Sequence, residues 1–149
     1  MNTLVRKFAQ KAALLGLLPV LGGCVNDGIA MRIDGPEHAI SLIREQKLFW
    51  EKKMDLEVVV ARLPDCQRRH QLRQATVSSS FQVDVYMTGP NSFLLEQGKN
   101  LYSVETQTCQ KFERLEAEPK DGKGELVGVF REEKGKLVFV AAQPAAPAK

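Results

Sequence analysis

Histidine occurs only twice in these 149 residues, at His38 and His70, and cysteine only three times. That scarcity excludes several chemistries. A zinc centre wants four ligands at short spacings, and Cys66-x-x-x-His70 supplies half of one with no second pair to complete it. No C-x-x-C is present, so thioredoxin-like redox exchange has no motif. No G-x-S-x-G elbow surrounds a serine, and Ser78-Ser79-Ser80 reads as loop rather than nucleophile. Aromatic residues make up 7% of the chain, with a single tryptophan, Trp50. The apolar run Ala12–Leu21 is about half the roughly twenty residues that a spanning helix needs. A non-enzymatic protein without metal or cofactor is the expectation.

The run has a different meaning at its position. Arg6, Lys7 and Lys11 precede it with no acidic residue among them, and Gly22-Gly23-Cys24 follows it, the layout of a secretory signal. Leu21-Gly22-Gly23-Cys24 resembles the lipobox of bacterial lipoproteins, in which leucine and two small residues precede a cysteine. The resemblance implies that residues 1–23 are removed and that Cys24 takes lipid on its thiol and its new amine. Several acyl chains, at about 0.8 kcal/mol per buried methylene, anchor stably where a single chain is marginal. Val25 stands where many inner-membrane lipoproteins carry aspartate. The expected address is therefore the outer membrane, facing the periplasm.

Removal of the signal changes the charge. It takes away three cations, leaving 18 of the 21 Lys+Arg against 18 Asp+Glu. A neutral body lacks the basic excess that nucleic-acid binding requires. The 126 residues left suit one domain of modest core. With Cys24 lipidated, Cys66 and Cys109 remain in an oxidising compartment where thiols pair. An intramolecular bridge is expected, against two free buried thiols or an intermolecular link, and would contribute about 4 kcal/mol by loop-closure entropy.

Between an expected tether (24–35) and an expected disordered Ala/Pro tail (142–149), the period is mostly two. Phe81, Val83, Val85 and Met87 alternate with polar neighbours as in a half-buried strand. Leu56–Ala61 is apolar at consecutive positions, as in a central strand. Turns are expected at Leu63-Pro64-Asp65, Gly89-Pro90-Asn91, Gly98-Lys99-Asn100 and before Gly135, where a hairpin needs positive φ. Residues 113–123 read as a polar crossover. Residues 36–50 fit a strand better than a helix, because the polar REQK interrupts a helical stripe. The expected domain (36–141) is mainly β: a small antiparallel sandwich or rolled barrel-like sheet of seven or eight short strands, with at most one short helix.

The densest polar stretch, ARLPDCQRRHQLRQ, holds Arg62, Arg68, Arg69 and Arg73, whose guanidinium forks suit phosphate and carboxylate groups. Phe49 and Trp50 are expected in the core, with an exposed docking patch as the alternative. VVARLPDCQRRH and LYSVETQTC resemble small uncharacterised lipoproteins of Gram-negative bacteria, a resemblance that implies fold and compartment but no activity. Two functions follow as expectations. One is an accessory protein that touches membrane lipid through Cys24 and an envelope protein through an apolar surface. The alternative is a binding module for an anionic envelope component, lipopolysaccharide or peptidoglycan, through Arg62, Arg68, Arg69 and Arg73. In either, a tether of 10–15 residues, roughly 35–50 Å when extended, would hold the domain off the membrane.

Overall fold

The computed structural model describes residues 25–77 and 81–143; the lipobox-like segment with Cys24, Ser78–Ser80 and residues 144–149 lie outside them. The described chain is mainly β, with two antiparallel sheets and no helix. One sheet runs β1 (Asn26–Arg32), β2 (His38–Glu45), β3 (Lys53–Arg62), β4 (Cys66–Gln71), and the two-residue β5 (Ala75–Thr76) pairs with the start of β3. The other sheet uses β6 (Gln82–Gly89), β7 (Ser92–Gln97), β8 (Asn100–Glu105), β9 (Phe112–Leu115), β10 (Glu125–Glu133) and β11 (Lys136–Ala141), in the order β11-β10-β6-β7-β8-β9. Neither closes on itself, so the fold is an open sandwich rather than a barrel.

Register explains the core. Cross-strand partners share a face, so Ile29, Leu42, Val58 and His70 form one inward row, and Met31, Ile40 and Val60 the next, with Arg68 exposed where that row reaches the edge strand. From the other sheet Val83, Phe130 and Phe139 meet them, with Val85, Leu95 and Tyr102 alongside. These rows interleave as one hydrophobic core. The two-residue hairpin loop Lys134-Gly135 has positive φ at both positions, 51° and 80°, which matches the right-handed strand twist.

Three expectations need correction. Residues 25–35 are not a tether: Asn26–Arg32 pair with Ala39–Glu45 of β2 as an edge strand. The stretch looks polar because only Ile29 and Met31 carry its apolar face. The crossover is shorter than expected, since Phe112–Leu115 pairs with β8 before residues 116–124 cross the outer surface. Phe49 and Trp50 are not core; they are 65% and 64% exposed. The β2–β3 loop carries them past the end of the sheet, where no facing element can cover them.

Strand directions separate two ends of the sandwich. At one lie Val25, the 46–52 loop, the 98–99 turn and the 134–135 turn; at the other lie the 33–37, 63–65, 90–91 and 106–111 connections. A disulfide joins Cys66 of β4 to Cys109 of the 106–111 loop, so the bridge spans the two sheets.

Candidate functional site

The sheets part at the end away from Val25. Met31 and Ile33 come from the end of β1, Met87 and Phe93 from β6 and β7, Leu126 and Val127 from β10. They line a largely apolar cleft of about 320 Å³, with Arg32 and Glu125 among its walls. Local irregularity opens it. The β6–β10 register slips at Val127, between Leu126 and Gly128, and the β6–β7 register slips at Thr88, between Met87 and Gly89. Each bulge re-aims the side chains beside it. Met87 keeps the inward row of Phe81, Val83 and Val85, paired with buried Phe93, yet is 41% exposed because the sheets part there; Leu126 is equally exposed. Unbranched methionine suits a surface that must adapt to what it binds.

The four arginines do not converge. Arg62 lies on the inward face of β3 and is taken up within the protein: its Nε donates to the Thr106 carbonyl at 3.1 Å, and its Nη2 donates to Asn91 Oδ1 and to His38 Nε2 at 3.3 Å. Arg69 points to the outer face and pairs with Glu57 at 2.9 Å. Arg68 lies in a polar depression between Asp65, Gln67, Gln107 and Thr108. Arg73 sits beyond β4, its backbone N–H donating to Tyr102 Oη at 3.0 Å. Among the described residues, Arg68 and Arg73 have no acidic partner within salt-bridge distance.

Both histidines are engaged. His70 stacks on Phe112 with ring centroids 4.6 Å apart, and its Nε2 donates to the Cys109 carbonyl at 3.2 Å. His38 is 5% exposed, with Thr106 Oγ1 at 2.8 Å from Nε2. Burial and the neighbouring Arg62 guanidinium hold its pKa below the ordinary 6.5, with Asp34 offsetting part of the effect. The folded state therefore binds fewer protons than the unfolded one below about pH 6.5. Stability from the neutral imidazole is whole above that pH and is lost as pH falls through the lower folded value. Denaturant midpoints should decline from pH 7 to pH 5, and His38→Gln should flatten that decline. Equal slopes in the two proteins would rule out His38 as the source.

Sequence reading also misses Arg44, which is 1% exposed on the inward face of β2. Its Nε donates to Asp27 Oδ1 at 2.5 Å, its Nη2 to Asp27 Oδ2 and to the Gly135 carbonyl at 3.0 Å each, and its Nη1 to Glu132. One guanidinium thus ties β1 and β2 to the β10–β11 hairpin. The signal for it lies in the alternation His38, Ile40, Leu42, Arg44, which places Arg44 on the buried side. Among the described residues no three His, Cys, Asp or Glu side chains gather so as to hold a metal ion. No protein family, curated protein or solved structure matches this chain.

Proposed function

We infer that this chain is a lipid-anchored envelope protein that acts by contact, receiving an apolar segment of a protein partner in the cleft between its sheets. The cleft is the observation that carries the reading. It leaves Met87 and Leu126 open to solvent at the end of the domain opposite Val25, facing away from an anchor at Cys24. Concave apolar surface with a few polar groups at its walls is the usual form of a binding site. The lipobox-like Leu21-Gly22-Gly23-Cys24 supports lipidation, and the disulfide suits an oxidising compartment such as the periplasm. An outer-membrane address rests on Val25 following the cysteine.

The reading is tested with a photo-crosslinking residue placed at Leu126 in the native envelope. The expected result is one dominant protein adduct at near-equal stoichiometry, lost when Met87→Glu puts a charge into the cleft and absent when the probe sits at Gln82. An adduct indifferent to Met87→Glu, or none at all, would sink it. Glycan or lipopolysaccharide attached instead would move the function to Arg68 and Arg73, the two members of the arginine cluster that pair with no acidic residue and are not taken up inside the protein among the described residues.

A further inference from the structure

We propose that the β2–β3 loop is a second membrane contact, seating Leu48, Phe49 and Trp50 in the interfacial layer of the bilayer that holds Cys24. The proposal rests on the lipid-anchor reading and adds to it an orientation of the whole domain. Three consecutive large apolar side chains stand out from this loop, exposed by 41%, 65% and 64%. Exposed Val77 lies beside them, its N–H donating to the Lys52 carbonyl at 2.9 Å. Single exposed apolar residues need no explanation, but a contiguous patch with a tryptophan does.

The loop is built to hold that shape. Buried Gln46 reaches under it, with Nε2 donating to the Glu51 carbonyl at 2.6 Å and to the Phe49 carbonyl at 3.3 Å. The Glu51 N–H closes a turn on the Leu48 carbonyl at 2.9 Å, and the Phe49 and Trp50 rings meet edge to face at 4.6 Å. The sheet thus presents its aromatics outward on a fixed base.

What covers them follows from where the chain enters the fold. The Gln46 N–H donates to the Val25 carbonyl at 2.7 Å, so the base of this loop holds the residue that follows Cys24. Adjacent α-carbons are about 3.8 Å apart. Acyl chains on Cys24 would therefore enter the bilayer beside the loop, with no length of chain to lift the domain away. Tryptophan favours that interfacial depth, where its ring is half in hydrocarbon and its N–H stays wet. Lys47, Lys52 and Lys53 flank the patch and can lay their stems along it with their ammonium groups in the headgroup layer. Glu45, Glu51 and Asp55 balance them, and Lys47 pairs with Asp55 at 2.6 Å. The contact is therefore apolar rather than charge-driven, and salt should alter it little. Strand β3, ten residues long, spans about 33 Å at 3.3 Å per residue. The cleft would then open roughly that far above the headgroups.

Trp50 is the only tryptophan in the chain, so it reports on itself. The experiment reconstitutes the full-length lipidated protein in vesicles of three parts phosphatidylethanolamine to one part phosphatidylglycerol, with the mass of the Cys24 peptide checked for acylation. Brominated lipid should quench Trp50, acrylamide should quench it several-fold less than in unlipidated Cys24→Ser protein free in solution, and high salt should change neither. Leu48→Ser/Phe49→Ser should cut the brominated-lipid quenching while circular dichroism stays native. Acylated protein that floats with the vesicles but keeps Trp50 open to acrylamide overturns the loop contact and leaves the anchor standing. Protein whose Cys24 carries no lipid and which fails to float overturns both. Shielding of Trp50 in native envelopes but not in these vesicles would assign the loop to a protein partner and overturn the proposal.

Discussion

Replacing Cys66 and Cys109 together with alanine should lower stability by about 4 kcal/mol, the loop-closure entropy of a crosslink between positions 43 apart. For a domain of this size that loss corresponds to a fall in melting temperature on the order of 15 °C. The bridge matters more than its two atoms suggest because of what it fastens. Strand β4 is a sheet edge whose residues are almost all exposed or half-exposed, so little apolar burial holds it. Apart from the bridge, its inward hold on the second sheet is the His70 stack on Phe112 and the hydrogen bond to Cys109. Amide exchange should therefore quicken first across Cys66–Gln71 in the variant, and reduction of the wild type should reproduce the effect. A loss below about 1 kcal/mol would mean that the reduced chain already restricts this loop.

The second large effect belongs to Arg44. Arg44→Met should cost about 3 kcal/mol, toward the lower end for breaking a buried ion pair, because water still reaches Asp27 and Glu132. The apolar replacement fills the space but strands two carboxylates that, among the described residues, pair with no other cation. In the wild type, burial alone would raise the Asp27 pKa, yet the Arg44 hydrogen bond and the Leu137 N–H outweigh it and hold the carboxyl below its ordinary 3.8. That contribution is whole above pH 3.8 and is lost as pH falls below it. In Arg44→Met the Asp27 titration, followed by NMR, should move upward. Adding Asp27→Asn to Arg44→Met should then cost less than Asp27→Asn does alone, since the partners act as one unit. Strict additivity would show that the three side chains are neighbours without being coupled.

Much of the architecture was legible because it is locally encoded. The hairpins at Gly98 and Gly135 need positive φ at those residues, and both have it, 59° and 80°. The 36–50 segment is strand from His38 to Glu45 because its inward positions are His38, Ile40, Leu42 and Arg44, a period of two. The Cys66–Cys109 bridge, expected in the sequence against free thiols or an intermolecular link, is present in the structure. The candidate cleft was not legible. It lies where the two sheets part beside register slips at Thr88 and Val127, and nothing in the neighbouring residues signals a one-residue slip.

The arginines show the same division from the other side. From composition, Arg62, Arg68, Arg69 and Arg73 look alike; strand register turns Arg69 outward to Glu57 and Arg62 inward to Thr106. Arg44, in a stretch that reads as polar surface, meets a partner 88 residues away. By itself the sequence determined that this chain forms antiparallel strands and where many of its turns fall, since period and turn residues are properties of neighbours. Only the tertiary structure decided which cations are buried, that the aromatic pair stands exposed beside Val25, and where the sheets part. Those depend on how two sheets stack and on which strand ends project beyond the other sheet, a geometry carried by contacts far apart in the chain.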